Sequence, residues 1–184
     1  PPKVFIKREV EMTSDQIRAY ADMKTMALAL FDQGMTTTVN ALTQLMRLHQ
    51  IVCGHTKLDD GTVISISTKR IDELLSVVEE TSGKVIIWAG YRHDIESIKL
   101  ALQKVYGMTA VGTYYGDTEE EERQRVVREF QDMASELRFF VGNPRTGGYG
   151  LTLTAADTVV YFSNSFDLEV RLQSEDRAHR IGQE

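Results

Sequence analysis

Short apolar runs alternate with helical patterns through residues 69–184, and this alternation limits the fold more than any other feature of the chain. The run Lys84–Ala89 is apolar enough for a strand that is buried on both faces. Strands that alternate with helices predict parallel βαβ units with right-handed crossovers. We therefore predict an α/β domain with a parallel sheet and helices on both faces, and we expect ligands beyond the carboxyl ends of its strands.

The predicted strands and helices of this domain follow one another in a regular order. The strands are Lys84–Ala89, Ala110–Tyr114, Leu137–Val141 and Thr158–Phe162, and the helices are Arg70–Glu80, His93–Lys104, Glu119–Phe130 and Leu168–Arg180. Thr118 is expected to cap the third helix, because a hydroxyl ahead of the acidic run Glu119–Glu122 suits the positive end of a helix.

Residues 1–68 show a different pattern and are predicted to form a separate N-terminal region ahead of the α/β domain of residues 69–184. Alternating apolar and charged side chains favour a strand, and apolar residues at helical spacing favour two helices. An Asp-Gly pair between two short strand-like runs favours a small hairpin. The predicted elements are a strand over Val4–Val10, helices over Asp15–Leu30 and Thr37–Val52, and a hairpin that joins His55–Leu58 to Val63–Ile66, with N-cap chemistry at Thr13–Gln16.

The charge balance restricts how this chain can contact nucleic acid. Its 27 acidic and 21 basic residues give a net charge of −6, whereas a protein that binds nucleic acid over a whole face is usually basic. Any such contact must therefore be local, and it must use backbone N–H groups, helix N-termini and a few cations.

Other features of the composition narrow the candidate functions. The single cysteine, Cys53, fits a reducing interior, and the four histidines lack the paired spacing of a zinc site, so we predict no metal centre. No apolar run reaches membrane-spanning length. The chain begins at Pro1 without a methionine and stops at Glu184 just after its last distinctive motif, so we expect it to be part of a longer protein.

A glycine-rich loop, Gly142–Gly150, follows the third predicted strand. Glycine lets backbone amides approach an anion closely, so the loop is a candidate phosphate contact. Arg145 supplies a cation beside those amides. A tight turn without a ligand is the alternative interpretation of the same composition.

The last predicted helix places a glutamine and two arginines near one face. Gln173, Arg177 and Arg180 follow one another at steps of four and three residues, which brings side chains together on a helix. The guanidinium group offers a planar fork of donors that suits a phosphoryl group in transfer. A solvated helical face with charges of both signs is the alternative interpretation.

Together these two segments resemble the second motor lobe of superfamily-two helicases, and more narrowly that of the Swi/Snf-type DNA translocases. Gly147–Val160 is similar to motif V of that family, and Leu172–Gln183 is similar to motif VI. Asp176 and the ending Ile181-Gly182-Gln183 favour the Swi/Snf branch over an RNA helicase of the same superfamily. The resemblance implies a RecA-like fold for the α/β domain, and the N-terminal helices resemble the helical insertion of the same family.

The resemblance implies an ATP site that this chain completes. The sequence has neither the Gly-x-x-x-x-Gly-Lys-Ser/Thr phosphate loop nor the acidic box for Mg²⁺, so ATP and Mg²⁺ are expected to be held mainly by a first lobe of the same protein. Arg180 is expected to be an arginine finger, Arg177 a second γ-phosphate contact and Gln173 a nucleotide sensor. Further nucleotide contacts are expected from Gly148, Gly150 and Asp176.

The resemblance also implies contact with the backbone of double-stranded DNA and an intracellular location. The expected contacts are Arg92, which follows the strand that resembles motif IV, and Arg145, Thr146, Gly147 and Gly148 in the glycine-rich loop Gly142–Gly150, which we call the motif V loop. The implied activity is DNA-dependent ATP hydrolysis that drives translocation, and the chain by itself is expected to be inactive.

Departures from the family pattern keep a second interpretation open. Asn143-Pro144 stands where the family commonly has Ser-Thr, and Phe166 stands where it has tryptophan. Asp167 is expected to cap the helix that follows. The alternative function is a motor-derived module that binds nucleic acid or protein without hydrolysing ATP.

Overall fold

The computed structural model describes residues 3–32, 34, 38–146, 151–165 and 167–178. The chain divides into two compact units, one formed by Lys7–Glu73 and the other by Pro1–Ile6 together with Leu74–Glu184. Within the described ranges, no helix combines the length and the apolar character needed to cross a membrane.

The unit of residues 7–73 consists of two helices and a small β-hairpin. Its elements are α1 (Ser14–Asp32), α2 (Thr38–Cys53), β1 (His55–Lys57) and β2 (Val63–Ser65). The two strands pair antiparallel with His55 opposite Ser65. Gly61 in the turn has a φ of +88°, a conformation that glycine adopts without strain. Both predicted helices and the predicted hairpin are confirmed.

Helix α1 begins with a reciprocal cap, as the polar residues ahead of it predict. The Gln16 N–H donates to the Thr13 hydroxyl at 3.3 Å, and the Thr13 N–H donates to Gln16 Oε1 at 3.1 Å, which is a capping box. The buried Gln16 amide also donates to the carbonyls of Ile51 and Val52, at 2.9 Å each. This one side chain therefore fastens the start of α1 to the end of α2.

The strand predicted over Val4–Val10 is not formed, because residues 3–13 contain neither helix nor strand. Val4, Phe5 and Ile6 are 80%, 70% and 78% exposed. An extended segment becomes a strand only when a neighbouring strand satisfies its N–H and C=O groups. Alternation in the sequence does not supply that neighbour.

The second unit is built on a four-stranded parallel sheet, as the alternation predicts. Its elements in chain order are β3 (Lys84–Trp88), α4 (Arg92–Tyr106), β4 (Val111–Tyr114), α5 (Glu120–Gln131), β5 (Phe139–Gly142), β6 (Ala156–Tyr161) and α6 (Leu168–Ala178), and α3 (Arg70–Glu79) precedes them in the chain. The strand order is β4-β5-β3-β6, and every pairing is parallel. The predicted α/β class with a RecA-like sheet is confirmed.

Helices cover both faces of this sheet. Consecutive residues of a strand point to opposite faces. On β5, Phe139 packs against Tyr106 of α4 with ring centroids 4.8 Å apart, and Phe140 packs against Phe130 of α5 at 5.4 Å. Helices α4 and α5 therefore lie on opposite faces, and Trp88 of β3 joins the core on the α5 side.

The start of α5 differs from the prediction. The N-cap of this helix is Glu119, whose side chain makes no capping hydrogen bond. The Thr118 hydroxyl instead accepts the N–H of Tyr115 at 3.3 Å, and the Thr118 N–H donates to the Tyr115 carbonyl at 3.0 Å. The Thr118 hydroxyl therefore helps to close the turn ahead of α5. Thr118 lies one residue before the N-cap, so its hydroxyl does not cap the helix.

Candidate functional site at the carboxyl ends of the strands

The loops that follow β3, β5 and β6 are held in place at the carboxyl edge of the sheet. The first residue after each of these strands donates its N–H to the last residue of a neighbouring strand. These bonds run from Ala89 to Gly142 at 2.9 Å, from Asn143 to Tyr114 at 3.0 Å and from Phe162 to Trp88 at 2.9 Å. Polar side chains on these loops therefore start from fixed backbone positions.

Asn143 organises the beginning of the motif V loop. Its side-chain oxygen accepts the Arg145 N–H at 2.9 Å, and its backbone carbonyl accepts the Thr146 N–H at 3.1 Å. Its side-chain nitrogen donates to the Gly90 carbonyl at 3.2 Å. The amide thus supplies at this position a donor and an acceptor where the related family commonly has a hydroxyl.

A buried pair lies beneath the same loops. The Gly90 N–H donates to Ser163 Oγ at 2.8 Å, and the Ser163 hydroxyl donates to Asp94 Oδ2 at 2.6 Å. Ser163 and Asp94 are 3% and 1% exposed. A hydrogen bond to a carboxylate that is excluded from solvent is stronger than an ordinary one. It therefore fixes the start of α4 against the end of β6.

The first predicted DNA contact, Arg92, begins helix α4 on the surface. Its guanidinium group forms an ion pair with Asp117 in the loop after β4, and the two side chains are 69% and 44% exposed. A pair in this much solvent contributes about 0–1 kcal/mol. The arginine can therefore exchange its carboxylate partner for a phosphate at small cost.

The second predicted DNA contact, Arg145, is also on the surface. Its guanidinium nitrogen lies 3.5 Å from Asp167 Oδ2, and the side chains are 62% and 42% exposed. The other oxygen of Asp167 accepts the N–H groups of Glu169 and Val170 at 3.1 and 3.3 Å. The predicted cap of α6 is confirmed, and the same carboxylate also contacts the motif V loop.

Among the predicted site residues that the structure describes, Arg177 is the most buried. It is 7% exposed, and its guanidinium carbon lies 5.4 Å from the Trp88 ring centroid. Burial lowers the pKa of Arg177, and the phenols of Tyr114 and Tyr161 act in the opposite direction. Its carbonyl accepts the Leu153 N–H at 2.9 Å, so the backbone of α6 is tied to the segment that follows the motif V glycines.

Gln173 and Asp176 lie on the more open part of α6. The Gln173 amide is half-buried and donates to Glu169 Oε1 at 2.9 Å. Asp176 has a 74% exposed side chain and lies 3.6 Å from Lys3 Nζ. The helix therefore places Gln173 and Arg177 one turn apart with different exposures.

Sequence reasoning missed the two buried side chains, Ser163 and Asp94, that hold the loop after β3 and the start of α4 in place. Ser163 and Asp94 are 69 residues apart, and the sequence pattern assigns a role to neither of them. An acid in the first turn of a predicted helix is the only sequence signal for Asp94, and it also fits a simple interaction with the helix dipole.

Several predicted site residues lie outside the part of the chain that the structure describes. They are Gly147, Gly148, Gly150 and Arg180, and the residues Phe166, Ile181, Gly182 and Gln183 that enter the family resemblance are outside it as well.

Comparison with known families identifies the α/β unit. Residues 67–182 match the family described as the helicase conserved C-terminal domain. This match confirms the resemblance carried by motifs V and VI.

Curated relatives are similar over the whole chain. It is 28% identical over 198 residues to the human SWI/SNF-related matrix-associated actin-dependent regulator of chromatin subfamily A member 1, covering 100% of this chain and 19% of that protein. It is also 28% identical over 196 residues to the putative ATP-dependent helicase/translocase YwqA of Bacillus subtilis (strain 168), covering 100% of this chain and 20% of that protein. The chain spans about a fifth of the length of these relatives.

Solved structures agree with this assignment. The Sulfolobus solfataricus SWI2/SNF2 ATPase core in complex with dsDNA matches with a TM-score of 0.73 and 25% identity, over 95% of this chain and 37% of that chain. The C-terminal part of the Fun30 ATPase domain matches with a TM-score of 0.75 over 100% of this chain and 82% of that chain. Because the two sequences are only 16% identical, this structural similarity supports the fold alone.

Proposed function

The chain belongs to the family of helicase conserved C-terminal domains, and from that premise we propose that it is the second RecA-like lobe of a Swi/Snf-type, ATP-dependent DNA translocase. ATP and Mg²⁺ would be held mainly by a first lobe of the same intracellular protein, because this sequence lacks a phosphate loop and an acidic box. Bound ATP would supply a γ-phosphoryl group for hydrolysis.

The observation that carries this proposal is the double role of Asp167. One oxygen of its carboxylate lies 3.5 Å from Arg145 in the motif V loop. The other oxygen caps α6, the helix that carries Gln173 and Arg177. A DNA-binding loop and a nucleotide-sensing helix that share one carboxylate are suited to couple the two ligands.

The residues of α6 fit a role in completing a nucleotide site. Arg177 is a largely desolvated cation, which attracts a phosphate more strongly than a hydrated one does. Its backbone is tied to Leu153, so its approach to a nucleotide is set in advance. We assign Arg180 as the arginine finger, Arg177 as a second γ-phosphate contact and Gln173 as the nucleotide sensor, with Gly148, Gly150 and Asp176 as further nucleotide contacts.

The DNA backbone would lie along the loops after β3 and β5. Arg92 and Arg145 are the cations of this surface, and Thr146, Gly147 and Gly148 would contribute loop contacts. The structural similarity to an ATPase core in complex with dsDNA supports duplex DNA as the partner. Binding through so few cations should be weak for this lobe alone, and it should weaken further as the salt concentration is raised.

The test compares this chain with a protein that contains both lobes. We expect negligible ATP turnover from the chain alone and DNA-stimulated turnover from the two-lobe protein. In the latter, Arg145→Ala should lower DNA stimulation and leave turnover without DNA unchanged. Arg125→Ala on α5 removes the same charge elsewhere and is the matched control. ATP hydrolysis by the purified chain at ordinary motor rates would overturn the division of the site between lobes.

A motor-derived binding module without hydrolysis is the second candidate. The net charge of −6 and the carboxylates paired with Arg92 and Arg145 weaken attraction to a polyanion, so they favour a module of this kind that binds protein. The two candidates differ in the two-lobe protein. A first lobe with an intact phosphate loop and DNA-stimulated turnover supports the translocase, and a first lobe without turnover supports the binding module.

A further inference from the structure

A continuous chain of hydrogen bonds crosses the carboxyl edge of the sheet. It starts at the Arg145 N–H, which donates to Asn143 at 2.9 Å, and continues from the Asn143 amide to the Gly90 carbonyl at 3.2 Å. It then passes from the Gly90 N–H to Ser163 at 2.8 Å and from the Ser163 hydroxyl to Asp94 at 2.6 Å. These hydrogen bonds join the loops after β3, β5 and β6. Arg145 lies in the loop after β5, and Arg92 begins the helix that follows the loop after β3.

Only an amide side chain can make both of the hydrogen bonds that Asn143 makes in this network. Asn143 uses its oxygen to accept from Arg145 and its nitrogen to donate to Gly90. An aspartate has no N–H and would set a charged oxygen against the Gly90 carbonyl. A serine has a single oxygen closer to the backbone, which could close the turn to Arg145 but could not also span the gap to Gly90.

The hydrogen bonds at the two ends of this network differ in strength. The pair formed by Ser163 and Asp94 is buried and short, and it involves a carboxylate. The bond from Asn143 to Gly90 is the longest of the chain and only half-buried. Loss of the Asn143 amide should therefore loosen the motif V loop while the sheet and the start of α4 stay in place.

We propose that Asn143 is a positioning residue for DNA binding: it holds the loop of Arg145 against the loop that leads to Arg92, so that the two cations are presented in a fixed arrangement. This inference rests on the proposed DNA contact. A preorganised pair of cations binds a phosphate backbone more tightly than a loop that must be ordered on binding. Asn143 acts through Arg145 and does not itself need to touch DNA.

The test is a double-substitution cycle on the 184-residue chain, with a fluorescently labelled DNA duplex of arbitrary sequence as the probe. Asn143→Ala should raise the Kd about fivefold, a factor equal to the loss of an ordinary hydrogen bond. In an Arg145→Ala background the same substitution should change the Kd by less than about twofold, because the positioned group is gone. Asn164→Ala, which removes another amide at this edge, is the matched control and should leave the Kd unchanged.

A second readout does not depend on DNA. Amide hydrogen exchange at Arg145 should become faster in Asn143→Ala, because its N–H loses its acceptor. Exchange at Leu153, whose N–H donates to Arg177, should not change. If Asn143→Ala does not fold, Asn143→Ser takes its place with the same expected results for DNA binding, since serine keeps the turn and loses the bond to Gly90.

The outcomes separate this inference from the function on which it rests. A wild-type chain with no measurable affinity for duplex DNA overturns the proposed DNA contact, and the positioning role falls with it. A wild-type chain that binds DNA, with the same Kd in Asn143→Ala, overturns the positioning role alone. Equal losses with and without Arg145 also overturn it, because they show an effect that does not pass through that arginine.

Discussion

The guanidinium carbon of Arg171 lies 3.3 Å from the centroid of the Tyr161 ring, so a cation that rests on an aromatic face fastens α6 to the edge strand β6. The same guanidinium group donates to Glu175 at 2.8 Å. The positions of Gln173 and Arg177 on this helix depend on that attachment, because both lie within two turns of Arg171.

We expect Arg171→Ala to lower the free energy of unfolding by about 1–2 kcal/mol, since it removes a cation–π contact, an ion pair and the packing of the side-chain stem. Arg171→Lys should recover part of this loss, because an ammonium keeps the charge without the planar group. Urea unfolding of the chain measures both effects.

Arg125→Ala is the control for this comparison. Arg125 pairs with Glu122 at 2.6 Å and with Glu129 at 2.7 Å, all on the solvent-facing side of α5. Exposed pairs of this kind contribute about 0–1 kcal/mol. An equal loss of stability from Arg125→Ala and Arg171→Ala would show that the contact with Tyr161 adds nothing.

The pH dependence of stability should report the burial of Tyr161. Burial raises the pKa of Tyr161 above its ordinary value of 10.0, against the opposing effect of the hydrogen bond to Ser174. Since the folded-state pKa is raised, this contribution to stability is fully present below about pH 10 and is lost as the pH rises through the folded-state pKa. Urea unfolding between about pH 8 and 11 should show a steeper loss in the wild type than in Tyr161→Phe. Parallel curves for the two proteins would contradict this assignment.

Most of the fold was predictable because each element carries its own local signal. The strand β3 is apolar throughout its centre, and both units show helices at the positions that periodicity predicts. Val4–Val10 was predicted wrongly because a strand depends on a neighbour that its own sequence does not encode. Thr118 was predicted wrongly because its hydroxyl is used by the preceding turn.

The candidate site was only partly predictable. Motif spacing led to Arg145 and Arg177, because the residues for which we propose a phosphate contact stand in short patterns. It could not lead to Ser163 and Asp94, whose contact is formed by the parallel arrangement of distant segments. Nor could it show that Arg177 is covered by Trp88, which depends on how α6 packs against the sheet.

Removal of the acid that pairs with Arg92 should strengthen DNA binding. We expect Asp117→Asn to lower the Kd of the chain for duplex DNA by about twofold to fivefold at roughly 0.1 M salt, because the arginine is released and a repulsive charge is removed. The effect should shrink at higher salt. Titration of labelled DNA at two salt concentrations measures it.

Asp59→Asn is the matched control for Asp117→Asn. Asp59 forms an ion pair with Arg47 in the unit of residues 7–73, and its side chain is 91% exposed. The substitution makes the same change in net charge, so it reports the general effect of a less acidic chain. If both variants bind DNA equally well, the surface around Arg92 has no special role in the contact.

Arg180 offers the sharpest test of the catalytic assignment, which comes from its spacing to Gln173 and Arg177 and from the resemblance to motif VI. In a protein that contains both lobes, Arg180→Ala should leave the melting temperature nearly unchanged, since a finger projects into a cleft. Its DNA-stimulated turnover should fall by about 10³ or more, because positive charge at the transition state is lost. ATP affinity should change little, since the first lobe supplies most ground-state contacts.

Arg180→Lys should not restore full turnover, because an ammonium lacks the planar fork of donors. Wild-type turnover by a folded Arg180→Ala protein would remove the catalytic role assigned to Arg180.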